Sequence, residues 1–236
     1  MRKYRTSKTA IHNYFNTIDS ENKAYLLGFI LADGCIEQGY GVNSISLRNA
    51  VDDLNIGELF QSEIFPGNKL SIRQNIGKKD SFSIKGSSKE IIKDLNSFNI
   101  FPNKTYDFNF IFPFQKLQNN FIRHFIRGFF DGDGTFTCYR FEFITTSKPF
   151  ALQLIDLITN QFNCNYHLRE KKTKNVTEYM FYFHTRHTNL TKFEFISNLH
   201  NWLYEDSTIY LQRKKSKFEM YLNTVLSKKS KKFLPV

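Results

Sequence analysis

The stretch "FIRGFFDGDGTFTCY" (125–139) closes an apolar run with Asp131 and Asp133, each flanked by glycine. Three chemistries fit such a pattern: a surface turn, the start of a calcium loop, or a carboxylate held out for metal-dependent work. A calcium loop would use Asp131, Asp133 and Glu142, but its sharp turn needs a glycine where this chain has Phe136. One hundred residues earlier "LLGFILADG" ends the same way, so that Gly28, Ala32, Asp33 and Gly34 correspond to Gly128, Gly132, Asp133 and Gly134. Small residues one turn apart on one helix face let two helix backbones approach closely. If these two helices cross there, Asp33 and Asp133 lie side by side. Two adjacent carboxylates repel unless a cation sits between them. A hard divalent ion such as Mg²⁺, completed by water and phosphate oxygens, suits that place and would support phosphodiester hydrolysis.

The elements that must position these acids are legible around them. In "TIDSENKAYLLGFILADG", Asp19 and Ser20 offer a cap, the first turn is acidic, and Gly34 is a stop. The second helix repeats the scheme, with Leu117, Phe121, Phe125 and Phe129 at helical spacing. Each helix is followed by two alternating segments, a helix, two more alternating segments and a helix. The spacing predicts an α+β fold: a duplicated αββαββα unit, pseudo-twofold, with two antiparallel four-stranded sheets. The expected organisation is a basic N-terminal arm at 1–18, halves at 19–112 and 113–225, and a basic, solvated tail at 226–236.

Composition narrows the partners. The 236 residues carry a net charge of +11, with 41% apolar and 17% aromatic residues, which points to a folded protein with a polyanionic partner. Cys35, Cys138 and Cys164 show neither disulfide nor zinc spacing, and His184 and His187 lack further ligands nearby, so an intracellular, reducing setting is expected. The N-terminal residues lack the apolar core of a secretory signal, and "AYLLGFILA" is too short to span a bilayer, so no membrane partner is expected. The chain opens with Met1 and ends "FLPV", which disfavours an intein-embedded enzyme. Heavy use of Lys, Asn, Ile and Phe is compatible with the A·T-rich genome of an organelle, a phage or a low-GC bacterium.

"LLGFILADG" and "IRGFFDGDG" resemble the two copies of the motif that names the LAGLIDADG homing endonucleases. The resemblance extends from about Asp19 to Val225. It implies a single-chain, monomeric enzyme whose motif helices form the central interface through Gly28, Ala32, Gly128 and Gly132, with both sheets forming a saddle on double-stranded DNA. It further implies that Asp33 and Asp133, with Gly34 and Gly134 beside them, bind Mg²⁺, for which Mn²⁺ or Ca²⁺ substitutes in binding. Both strands of a long site would be cut across the minor groove, leaving short 3′ overhangs. Lys104 and Lys214 match the basic residue that members often carry near the scissile phosphates. The polar residue, often Gln, after the second strand has no clear counterpart among Ala50, Val51, Thr146 and Ser147. Leu31 stands where the second motif has Asp131. Some relatives assist intron splicing, so intron RNA is a second candidate partner and an RNA maturase an alternative function; a catalytically silent DNA-binding regulator is another.

Strand alternation suggests the DNA-reading side chains. In the first half, Leu70 and Ile72 are expected to face the core, leaving Lys69, Ser71 and Arg73 outward, with Ser44, Ser46, Arg48, Ser81, Ser83 and Lys85 on the same face. In the second half Arg140, His167, Arg169, Lys171, Tyr182, His184 and Arg186 take that place. Lys78 and Lys79, and Lys172 and Lys174, are expected to meet phosphates at the ends of the site.

Overall fold

The computed structural model describes residues 6–39, 41–137 and 140–231. The first half runs α1 (Glu21–Asp33), β1 (Cys35–Gly39), β2 (Val42–Ala50), α2 (Leu54–Ile64), β3 (Ser71–Arg73), β4 (Ser81–Ser87) and α3 (Lys89–Ser97). The second runs α4 (Asn119–Asp133), β5 (Thr135–Thr137), β6 (Arg140–Thr145), α5 (Lys148–Phe162), β7 (Asn165–Lys172), β8 (Thr177–His184) and α6 (Lys192–Tyr204), and a further helix, α7 (Gln212–Lys231), follows. Both sheets are antiparallel and share one order, β1-β2-β4-β3 and β5-β6-β8-β7. The αββαββα repeat is therefore present in both halves.

Local chemistry explains the starts and stops. Ser20 accepts from the backbone N–H of Lys23, and Ser88, Ser147 and Thr191 cap α3, α5 and α6 in the same way. Gly34 and Gly134 end α1 and α4 with N–H bonds back to the carbonyls of Ile30 and Phe130, at 3.0 and 2.8 Å. One continuous apolar core runs through both halves, from Phe15 and Phe60 to Phe141, Phe143 and Phe218.

The segments at the two ends take more structure than their basic charge suggests. Residues 7–18 are not a free arm: Ala10, Tyr14, Phe15 and Ile18 are buried, Ser7 pairs with Ser87, and the Ile11 N–H reaches the Ile64 carbonyl. Four apolar side chains in "AIHNYFNTI" supply the burial that straps this segment over the first half. The expected tail at 226–236 also changes, because α7 continues to Lys231. Lysine and leucine are good helix formers, and Phe218 anchors the helix by stacking on Phe136 at 3.9 Å. Residues 1–5, Tyr40, Cys138, Tyr139 and 232–236 lie outside the described residues. Among the described residues, no helix is long and apolar enough to cross a membrane.

Candidate active site and nucleic-acid interface

The site begins at the crossing of α1 and α4. A Cβ on Gly28 would come within 2.1 Å of the Phe125 carbonyl oxygen, and one on Gly128 within 2.0 Å of the Tyr25 carbonyl oxygen. Only hydrogen fits at either position. Near the C-terminal ends, a Cβ on Gly132 would meet the Ala32 Cβ at 2.2 Å and the Asp33 carboxyl carbon at 3.5 Å. The crossing thus delivers the end of each helix to the other, and Asp33 and Asp133 with them.

The two acids have different surroundings. Asn49, the penultimate residue of β2, donates from Nδ2 to Asp33 Oδ2 at 2.7 Å. Sequence reasoning missed it by one position, having considered Ala50 and Val51. Asp133 has no hydrogen-bond partner of that kind among the described residues. Water reaches Asp133 from one side, yet the surrounding helix ends desolvate it and the Asp33 charge adds to this, pushing its pKa up to about 6. Desolvation is the larger cause and the neighbouring Asp33 charge the smaller. A cleft of about 230 Å³ opens beside Asp133, floored by Leu31, Phe110, Phe129 and Phe150 and rimmed by Lys104, Thr146 and Glu178.

Each motif helix is closed by an ammonium group. Lys104 Nζ donates to the Gly34 carbonyl at 2.5 Å. Lys214 Nζ donates to the carbonyls of Phe130, Gly132 and Gly134 at 2.5, 3.3 and 2.7 Å. Both lysines therefore compensate the negative ends of helix dipoles. Burial lowers the pKa of each, Lys214 to about 8, against the pull of nearby aspartates. Neither is a solvated surface lysine. The glycine carbonyls at 34 and 134 are engaged by these lysines.

Asp131, which the sequence offered as a calcium ligand, is instead a buried anchor inside α4. It accepts from Tyr25 Oη at 2.8 Å and from the Leu211 N–H at 2.7 Å, and burial pushes its pKa up to about 6. Arg127, fully buried, donates to the carbonyls of Ile209 and Leu203 and pairs with Glu21 at 2.5 Å. Glu21 also accepts from the N–H groups of Thr208 and Ile209. Together they fix the strand of chain that carries Lys214 to the end of α4. Arg213 adds a bidentate pair to Asp53, both bonds at 2.8 Å.

Strand register places the candidate reading residues. In the first sheet Ser46 lies opposite Lys85, Arg48 opposite Ser83, Ser83 opposite Ser71, and Ser81 opposite Arg73, all on one face. In the second, Glu142, Tyr182 and His167 form one row, Met180 faces Arg169, and Glu178 faces Lys171. Lys69, Lys78, Lys172, Lys174 and Arg186 are exposed outside or at the ends of the strands, and Lys79 is paired with Asp52. Two expectations fail. Ser44 is buried and donates to Glu37 Oε2 at 3.1 Å, because the longer Glu37 side chain opposite covers it. Ile72 is 57% exposed, because β3 is a three-residue edge strand that overhangs the core.

Among the described residues no three His, Cys, Asp or Glu side chains cluster as a metal cage. The donor set at the crossing is two carboxylates. It fits a hard cation that keeps several waters and takes further oxygens from a phosphate.

Comparison with known proteins agrees with this architecture. Residues 120–195 match the family model of the LAGLIDADG-like domain. I-DmoI in complex with DNA and Ca is 17% identical, with a TM-score of 0.52, covering 77% of this chain and 90% of that one. I-WcaI bound to its DNA recognition sequence is 18% identical, with a TM-score of 0.52 and coverage of 88% and 91%. The K262A mutant of I-SmaMI is 14% identical, with a TM-score of 0.53 and coverage of 88% and 92%. No curated protein sequence matches the chain. The second half thus carries a LAGLIDADG-like domain. Over 77–88% of its length the chain shares the LAGLIDADG homing endonuclease fold of these structures.

The raised pKa of Asp133 has a measurable consequence. Its folded-state value lies above that of a free aspartate, so ionised Asp133 carries a folding cost above about pH 6, relieved as the pH falls from 6 toward 4. A cation held by Asp133, as proposed below, would require the ionised form and oppose that trend. Apparent Mn²⁺ affinity, measured by calorimetry without DNA, is expected to be flat above about pH 6 and to fall roughly tenfold per unit below it. Asp33→Asn removes one source of the rise and should move the break to lower pH.

Proposed function

We propose that the chain is a site-specific double-strand DNA endonuclease that hydrolyses phosphodiesters at a long, asymmetric target and leaves 3′ overhangs. The observation that carries this reading is the pairing of Asp33 and Asp133 at the crossing of α1 and α4, with an ammonium group on each helix end. I-DmoI and I-WcaI, which share the fold, are in complex with DNA.

In this reading the two aspartates hold a divalent cation, Mg²⁺ in the first instance and Mn²⁺ or Ca²⁺ in binding. Bound there, the cation supplies a water of lowered pKa and charge stabilisation at the leaving oxygen. Asn49 fixes the orientation of Asp33. Lys104 and Lys214 stand beside the acids and stabilise charge developing on the phosphate. The sheet faces and their flanking lysines bind the duplex, so affinity falls with salt as counterions are released. Since both motifs lie in one chain, a monomer completes the site.

One observation favours a second reading, assistance to intron RNA splicing. Tyr182 lies 5.2 Å from His167 and 6.3 Å from His184, ring to ring, with Arg140 4.7 Å above it. Such a row is a platform on which unpaired bases stack.

Incubation with a randomised duplex library in Mg²⁺, followed by sequencing of the cut ends, tests the proposal. One reproducible long site is expected, with binding that weakens steeply between 50 and 200 mM salt, as expected for several phosphate contacts. Tight duplex binding without cutting would favour a regulator. Preference for structured RNA over duplex would favour the splicing role.

A further inference from the structure

The two sheet faces differ sharply at one matched position. Cys35 of β1 pairs with Ser46, and Thr135 of β5 with Glu142. Two residues further along the second strand of each sheet, on the same face, stand Arg48 and Ile144. Arg48 is exposed and lies opposite Ser83. Ile144 lies opposite Met180, which in turn lies opposite Arg169, and both apolar side chains are half-buried.

An outward sheet face of this kind is ordinarily polar. Two apolar side chains in direct cross-strand register, next to an arginine, therefore call for an occupant. Ile144 also lines the cleft beside Asp133, which puts the pair close to the acids. The occupant must offer an apolar group to a face that carries Arg140 and Arg169 together with Glu142, Lys171 there being paired with Glu178 at 3.4 Å. In the major groove of duplex DNA the apolar group available is the C5-methyl of thymine.

We infer that Ile144 and Met180 form a thymine-methyl contact at an inner position of the half-site read by the second sheet. The matched position of the first sheet carries Arg48, whose guanidinium suits guanine O6 and N7. The inference rests on the DNA reading proposed above and adds the base that one part of the site selects. A target with matched bases in its two halves would be disfavoured.

Uracil tests it, because uracil differs from thymine by that methyl alone. The duplex selected by the wild-type protein is bound in Ca²⁺, with each thymine replaced in turn by uracil. One thymine near the cut, in the second half-site, is expected to lose roughly fourfold in affinity, as for one buried methyl. In Ile144→Ser that ratio should fall to about one, and in Ile144→Arg the selected base should move toward guanine. Equal affinity for every uracil-substituted duplex would overturn the inference while leaving the nuclease reading intact. Persistence of the thymine preference in Ile144→Ser would overturn it too. Failure to select any duplex would instead remove the DNA reading itself. The wild-type uracil scan needs no variant and decides the matter even if the substituted proteins fold poorly.

Discussion

Gly128→Ala is expected to lower the melting temperature by about 6–12 °C, the consequence of a loss of roughly 3 kcal/mol in a chain of this size. The added methyl would stand 2.0 Å from the Tyr25 carbonyl oxygen, and a backbone atom in a packed helix cannot swing aside as a side-chain tip can. Gly28→Ala should behave alike, its methyl meeting the Phe125 carbonyl oxygen at 2.1 Å. The helices would separate to relieve the contact. Because Asp33 and Asp133 are brought together only by that crossing, a protein that stays folded should also lose cation affinity. Thermal denaturation with and without Mn²⁺ separates the two effects: the stabilisation given by the cation should shrink along with the baseline stability. An unchanged melting temperature in both variants would mean that the helices do not meet through these glycines.

The second large effect concerns the acids. Asp33→Asn and Asp133→Asn keep the shape of each side chain and remove its charge, so neither should disturb the helix crossing. Each is expected to reduce double-strand cleavage on the order of 10³-fold while leaving duplex affinity nearly unchanged in Ca²⁺-free buffer. Removing either charge should also relieve the repulsion that helps to raise the Asp133 pKa, so Asp33→Asn is expected to leave stability unchanged or slightly improved at pH 7. A loss of activity that merely tracked a loss of stability would indicate a structural role.

What the sequence disclosed depended on how local the signal was. The αββαββα order was legible because alternation, capping serines and paired glycines are written within a few residues of the element they specify. The acids were legible because the same helix ending occurs twice. Arg127 and Asp131 could not be read in this way. A buried charge is intelligible only through its partners, and these lie far off in the chain: Glu21 and Tyr25 on α1, Ile209 and Leu211 beyond α6. Asp131 stands opposite Leu31 in the motif alignment, and only its partners Tyr25 and Leu211 show that it anchors the segment that delivers Lys214. Ser44 followed the alternation correctly but is covered by Glu37, which alternation cannot foresee. The strap at 7–18 is hard to read for a related reason. Its charge and position suggested an arm, while Tyr14, Phe15 and Ile18 have their contacts on the first half.

The pseudo-symmetry is consequently imperfect in a useful sense. Lys214 is held by three carbonyls and a buried ionic scaffold, Lys104 by one carbonyl. Asp33 has Asn49, while Asp133 borders an open cleft. A chain with two copies of a motif need not treat two DNA strands alike.

The central claim is that Asp33 and Asp133 together form one metal-dependent cleavage centre. It is tested most directly with the selected duplex, each strand end-labelled, incubated in Mg²⁺ with wild type, Asp33→Asn, Asp133→Asn and the double variant. The account predicts metal-dependent cutting of both strands by wild type, loss or reduction to nicking in either single variant, and no product from the double variant. Undiminished double-strand cutting by the double variant would contradict it.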